Sequence, residues 1–265
     1  MPWPKPPLER SIFNVDPLDE FSVTIADWIW SHVQGLQNIE IEAKIGTLID
    51  TSTNHRLRLP VLCETIVDMP GVRFESDMSA KQHAHFNAKL NEVVERTSSQ
   101  SYKGDKVRYR RSMEADAFYH IPGSKERIRV TKNEETMKIT NAIVKKRIAN
   151  MEVYSPRSLF DFRISINTEE PVEPPDAEPA YIRNKNRVSY AHQCFQVDLT
   201  QVQTPENPYR QMHELEVEML DVGSFLSLGE EARRQGESQK WTPFEDRVLI
   251  LLNNVRMLIR NACPP

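Results

Sequence analysis

The chain is poor in the features that would let it act through bulk electrostatics, redox chemistry or a membrane. Lys and Arg number 34 against 38 Asp and Glu, for a formal net charge of -4. It therefore lacks the clear basic excess of a general duplex-binding surface, and any nucleic acid must bind locally. Cysteine is scarce: Cys63, Cys194 and Cys263 are odd in number, far apart and match no zinc-ligand spacing. That argues against a disulfide framework and for plain thiols in a reducing compartment. No apolar run approaches the roughly 20 residues of a membrane-spanning helix, and the opening MPWPKPPLER lacks the layout of a signal peptide. No internal repeat of fixed period is present. The expectation is a soluble, intracellular protein with no membrane partner. Its 265 residues suffice for a sizeable core. Residues 1–16, with Pro2, Pro4, Pro6 and Pro7, read as an extended tail, and 17–265 as one domain.

What is present is periodicity of two kinds. Leu18, Phe21, Ile25, Trp28, Ile29, His32 and Leu36 recur at helical spacing over 18–36. Ser79 and Gln82 form a capping box ahead of a stripe of Phe86, Leu90, Val93 and Val94. Thr242, Pro243 and Glu245 open a third helix with Val248, Leu251, Leu252, Val255 and Leu258 along one side. A short helix is expected over 224–234. Between Val107 and Leu220 the period is mostly two, broken by turn chemistry at Pro122–Ser124 and Lys132–Thr136 and by the proline-rich loop 169–179. This predicts a meander of antiparallel strands.

The charges follow the strand faces. IEIEAKIG, from Ile39 to Gly46, puts Ile39, Ile41, Ala43 and Ile45 on one face and Glu40, Glu42 and Lys44 on the other. HELEVEML repeats the pattern with Glu214, Glu216 and Glu218 opposite Leu215, Val217 and Met219. Other strands carry basic rows at the same period: Arg127 and Arg129; Arg163; Arg183, Lys185 and Arg187; and Lys145 with Arg147, or Lys146 in the other parity. Gln196, Asp198 and Thr200 share a further face.

Carboxylates two apart on a strand stand about 6.5 to 7 Å apart. They repel by roughly 0.6 kcal/mol in water but about 2.5 kcal/mol at an effective dielectric of 20. Either row alone is compatible with a wet sheet face, a plain structural reading. Both rows together, with basic rows between them, point instead to enclosure in a barrel whose polar faces turn inward and whose apolar faces pack on helices. Glutamate oxygens suit Mg2+ or Mn2+, and Arg and Lys suit phosphate oxygens, so such a lumen suits a metal-bound polyphosphate. His83, His85, His192 and His213 lack partners at ligand spacing, and Trp3, Trp28, Trp30 and Trp241 read as packing residues.

The ExExK strand EIEAK and the ExExE strand ELEVE, bracketing basic strands, resemble the triphosphate tunnel metalloenzymes. IEIEAKIGTLID, RFESDM, KERIRVTKN, KNRVSY, VDLT and HELEVE, in that order, resemble the fungal mRNA-capping RNA 5'-triphosphatases in particular, and the likeness runs from about Ile39 to Arg260. The resemblance implies an α+β fold, an eight-stranded antiparallel β-barrel with helices packed outside. It implies metal-dependent removal of the γ-phosphate from 5'-triphosphate RNA, the first step of cap formation in the nucleus. The metal ligands carried over are Glu40, Glu42 and Glu218, for Mg2+ or Mn2+. Arg129, Lys185 and Arg187 match positions that hold the γ-phosphate, and Lys145, Arg163 and Arg183 match further basic tunnel positions. Glu216 matches the carboxylate that orients or deprotonates the attacking water. Glu214, Glu169, Asp116, Asp198 and Thr200 match supporting positions of the wall, and Lys44 either balances the glutamates or reaches a phosphate.

A homodimer and a guanylyltransferase partner are implied as well, although no segment in the short N-terminus matches the one used for that recruitment. Gln196 departs from the pattern, standing where a basic residue is expected. Two other readings stay open at this point: hydrolysis of a small substrate such as tripolyphosphate or a nucleoside triphosphate, and a non-catalytic module that captures phosphorylated ligands.

Overall fold

The computed structural model describes residues 8–234 and 241–265. The four prolines of the tail, and Trp3, lie outside the described residues. Four helices form: α1 (Glu20–Val33), α2 (Ala80–Ser98), α3 (Val222–Arg234) and α4 (Pro243–Arg260). Both expected capping boxes are present, with the Ser79 hydroxyl accepting from the Gln82 amide and Thr242 from the Phe244 amide, which satisfies donors that a helix start leaves orphaned. α1 is shorter than its hydrophobic spacing suggests. Leu18 and Leu36 lie outside it, and the chain turns away at Gly35, whose φ of 71° is the left-handed conformation glycine adopts without strain.

The strands are β1 (Ile39–Asp50), β2 (His55–Arg56), β3 (Thr65–Val67), β4 (Val72–Glu75), β5 (Arg108–His120), β6 (Arg127–Asn133), β7 (Ile139–Tyr154), β8 (Asp161–Pro171), β9 (Tyr181–His192), β10 (Phe195–Thr204) and β11 (Asn207–Met219). Eight of them close a barrel in the order β11-β10-β9-β5-β6-β7-β8-β1, and β1 pairs back onto β11. The expected single meander is therefore two. β5 to β8 form one and β9 to β11 the other, and β9 returns to pair with β5 rather than with β8. The proline-rich stretch makes that return only from residue 172, since Glu169, Glu170 and Pro171, expected in the loop, extend β8 and pair with β7.

Closure turns one face of each strand inward and leaves the apolar faces outside. Ile41, Ala43, Ile45, Ile164, Ile166, Leu215 and Val217 are fully buried, and they share one core with Ile25 and Ile29 of α1, Phe86 of α2, Phe225 of α3 and Val248, Leu251, Leu252 and Val255 of α4. The main hydrophobic core thus lies between the helices and the outer wall of the barrel, where each such side chain contributes roughly 1.5–3 kcal/mol. At the end of β1, Asp161 is fully buried and accepts from the Leu48 and Ser155 amides and from Arg56, tying β1, β2 and β8 together.

Gly46 sits where β4 crosses β1. A β-carbon there would lie 2.1 Å from the Glu75 carbonyl oxygen and 2.7 Å from the Phe74 ring, so Gly46→Ala is expected to cost about 1–3 kcal/mol in urea unfolding. His83 of α2 and His213 of β11 are buried with ring centroids 4.8 Å apart. Burial, then the neighbouring His213, lowers His83 from 6.5 to about 4. The unfolded chain consequently binds more protons between those values, and stability present above pH 6.5 is lost as pH falls toward 4. Thermal midpoints measured across that window should fall more steeply for the wild type than for His83→Gln.

Candidate active site

Register across the barrel seam brings the two glutamate rows side by side. Glu42 lies opposite Glu218, and Lys44 opposite Glu216, on β1 and β11. On the other flank of β1, Glu40 faces Asn167 and Glu42 faces Ser165 of β8. The far wall supplies cations: Glu114 faces Lys185, and Asp116 faces Arg183, between β5 and β9. A cavity of about 260 Å³ inside the barrel is lined by Glu40, Glu42, Lys44, Asp116, Arg129, Lys145, Glu169, Arg183, Lys185, Arg187, Glu214, Glu216 and Glu218. Both carboxylate rows, the row Arg183, Lys185 and Arg187, and Arg129 and Lys145 line one cavity.

Most of these groups hold one another. Lys44 bonds Glu216 and lies 3.6 Å from Glu42. Lys145 bonds Glu40 and lies 3.7 Å from Glu42 and 3.5 Å from Glu169, which places Lys145, not Lys146, against the glutamates. Arg129 donates to Glu169 at 2.9 Å, and Lys185 reaches Asp116 at 2.5 Å. Arg187 contacts Asp198 at 3.2 Å and donates through Nε to Thr200 Oγ1 at 3.2 Å. Arg183 approaches Glu214 at 3.5 Å. Gln196 donates to Asp198 at 3.2 Å, so its amide spends a donor on the wall.

Glu218 differs. It makes no hydrogen bond or ion pair among the described residues. Burial, then Glu40 and Asp198, push its carboxyl up to about 8, with Arg187 opposing and Glu42 adding. Glu42 is likewise raised by burial, which Lys44 only partly offsets. For Glu216, burial would raise the carboxyl, but Lys44 and Arg187 hold it well below the usual carboxylate range. Neighbouring carboxylates in one lumen thus separate into an anchored anion, Glu216, and two carboxyls raised chiefly by burial, Glu42 and Glu218.

Among the described residues, no three Asp, Glu, His or Cys side chains already converge as a metal site; Lys145 is bonded to Glu40 and Lys44 to Glu216. The donor chemistry nonetheless fits a hard cation: Glu42 and Glu218 are oxygen donors on facing positions of the cavity lining, and Glu218 has no ion pair among the described residues. The charge pattern alone passes over Asn167, which is buried and donates from Nδ2 to Glu40 at 2.8 Å and to Glu42 at 3.1 Å. The signal was the polar parity of DFRISINTE, where Asp161, Arg163, Ser165, Asn167 and Glu169 share a face. Thr131, donating to Asp116 at 2.7 Å, was passed over in the same way. Arg163 faces Lys44 in register, but its guanidinium is paired with Glu152 and packed 4.8 Å from the Phe74 ring centroid. It stands apart from the cavity.

A closed antiparallel barrel with a lumen of facing acidic and basic rows defines a tunnel protein of the triphosphate-tunnel class. The model of the family described as mRNA capping enzyme, beta chain, matches residues 15–264, and the chain belongs to that family. It is 35% identical to the mRNA-capping enzyme subunit beta of Cryptococcus neoformans, over 96% of this chain and 65% of that protein. It is 33% identical to the subunit of the same name from Schizosaccharomyces pombe, over 96% of this chain and 86% of that one. The chain therefore spans about two thirds of the length of the Cryptococcus relative. The structure of S. pombe Pct1 RNA triphosphatase in complex with the Spt5 CTD superposes with a TM-score of 0.88 at 31% identity, covering 98% of this chain and all of that one. The expected eight-stranded barrel with external helices is the fold found.

Proposed function

We propose that the chain is a metal-dependent RNA 5'-triphosphatase, a single catalytic domain over 17–265 that hydrolyses the β–γ bond of 5'-triphosphate RNA to a 5'-diphosphate end in mRNA cap formation. The observation that carries this reading is the convergence of Arg129, Lys145, Arg183, Lys185 and Arg187 with Glu40, Glu42, Glu216 and Glu218 on one enclosed cavity. A metal-bound triphosphate, which brings both phosphate oxygens and a cation, suits both sets.

Mg2+ or Mn2+ held by Glu40, Glu42 and Glu218 would supply charge neutralisation and polarisation of the γ-phosphoryl oxygen. Arg129, Lys185 and Arg187 bind the γ-phosphate, with Arg187 already aimed by Asp198 and Thr200. Lys145 and Arg183 stabilise charge as it moves onto the diphosphate leaving group. Arg163 is tied to Glu152 and holds that part of the wall rather than the phosphate. Glu216 stays an anion and accepts a hydrogen bond from the attacking water. Held well below the usual carboxylate range by Lys44 and Arg187, it is a weak base, suited to orienting the water rather than taking its proton. Lys44 holds that carboxylate in place. Glu169, Asp116 and Glu214 position the basic groups they pair with.

The same reading places the protein in the nucleus as a homodimer, with guanylyltransferase and an Spt5-type C-terminal domain as partners. Capping supplies the rationale, since the diphosphate end is the acceptor that a guanylyltransferase needs.

Glu40→Ala and Glu218→Ala are expected to abolish metal-dependent release of labelled γ-phosphate from 5'-triphosphate RNA. The thermal midpoint of Glu218→Ala should hold or rise, because the side chain is crowded by carboxylates. Wild-type turnover in both variants would rule out the metal assignment. Arg187→Lys replaces a fork by a point contact and should slow release by about tenfold, equivalent to roughly 1.4 kcal/mol of barrier.

A further inference from the structure

The inward faces of β5 and β9 do not end with their charged residues. Two positions beyond Asp116, β5 carries Phe118. Two positions before Arg183, β9 carries Tyr181. The two are register partners, and their rings are stacked with centroids 4.5 Å apart and planes 8° from parallel. The Arg127 guanidinium of β6 lies over the Tyr181 ring, 5.0 Å from its centroid. Neither ring belongs to a hydrophobic core cluster or packs against one, so the pair is not explained by burial under the helices.

All three side chains line an outer cavity of about 560 Å³ that also holds Lys125, Lys146 and Arg147. This cavity shares Glu42, Lys44, Arg129, Lys145 and Arg183 with the deeper one. A phosphate chain lying in the deeper space therefore leads directly past the stacked rings. Lys125, Arg127, Lys146 and Arg147 are exposed, so the outer cavity, Glu42 and Glu126 apart, is basic where the lumen has more carboxylates than cations.

We propose that Phe118, Tyr181 and Arg127 form a platform on which the 5'-terminal nucleoside of the RNA stacks while its triphosphate occupies the tunnel, with Lys125, Lys146 and Arg147 meeting the phosphates that follow. The inference rests on the RNA reading above. Aromatic faces and a guanidinium plane accept any base by stacking, and basic side chains bind phosphates without reading sequence. The platform supplies affinity for an RNA end that inorganic tripolyphosphate cannot use.

The test compares steady-state phosphate release from triphosphate-ended RNA and from tripolyphosphate by the full chain, as wild type and as Phe118→Leu, Tyr181→Ala and Tyr181→Trp. The expected result is a rise of about tenfold in KM for RNA with Phe118→Leu and Tyr181→Ala, the scale that base–aromatic stacking supplies. Turnover of RNA at saturation and both constants for tripolyphosphate should stay within about twofold, and Tyr181→Trp should restore the KM. Wild-type KM for RNA in both Phe118→Leu and Tyr181→Ala overturns the platform, as does a parallel loss on both substrates, which marks a packing role. A wild-type protein that cleaves tripolyphosphate but not RNA overturns the RNA reading itself, a result distinct from either.

Discussion

Glu42 and Glu218 face each other across the seam where the barrel closes, and two carboxylates enclosed at that distance repel unless positive charge reaches the same space. The other inward-facing rows follow from this constraint. Lys44 and Lys145 enter from β1 and β7 to meet Glu216 and Glu40; Arg187 and Lys185 of β9 are in turn held by Asp198 and Asp116. Most carboxylates are paired, but among the described residues Glu218 and Glu114, both in the lining, have no ion pair. A lumen with more carboxylates than cations is prepared for a metal ion. A lumen that also holds Arg129, Arg183 and Arg187 is prepared for the anion the ion accompanies.

The same constraint explains why the core lies outside the barrel. With the inward faces given to charge, the apolar faces of β1, β8 and β11 need cover, and α1 and α4 provide it. Packing and chemistry are thereby separated onto opposite sides of the same strands. A substitution such as Glu→Ala in the lumen leaves the helix-covered face untouched, whereas a change at Ile41 or Val217 strikes the core.

Much of this was legible because strand parity is written in period two. The faces of β1 and β11, both capping boxes and the basic rows are read directly from the chain, and resemblance places them in a tunnel. What the chain hides is adjacency. Nothing local says that Lys44 meets Glu216 at a separation of 172 residues, or that β9 returns to β5. Asn167 is hidden because an uncharged amide on a polar face attracts no notice until it is seen between two glutamates. Arg163 reads as a tunnel cation by parity, yet Glu152, its register partner on β7, takes its charge. His83 and His213 look isolated because a helix and a strand far apart in sequence bring them together.

The pairing of β1 with β11 also orders events in time. The first long strand to leave the ribosome finds its second neighbour only after β11 has been made, so its inward carboxylates remain on an open edge through most of synthesis. Closing a loop of that length costs entropy that no earlier contact repays. The tunnel therefore closes only once β11 is present, and a chain truncated before Asn207 lacks the seam and the Glu214, Glu216 and Glu218 side of the site.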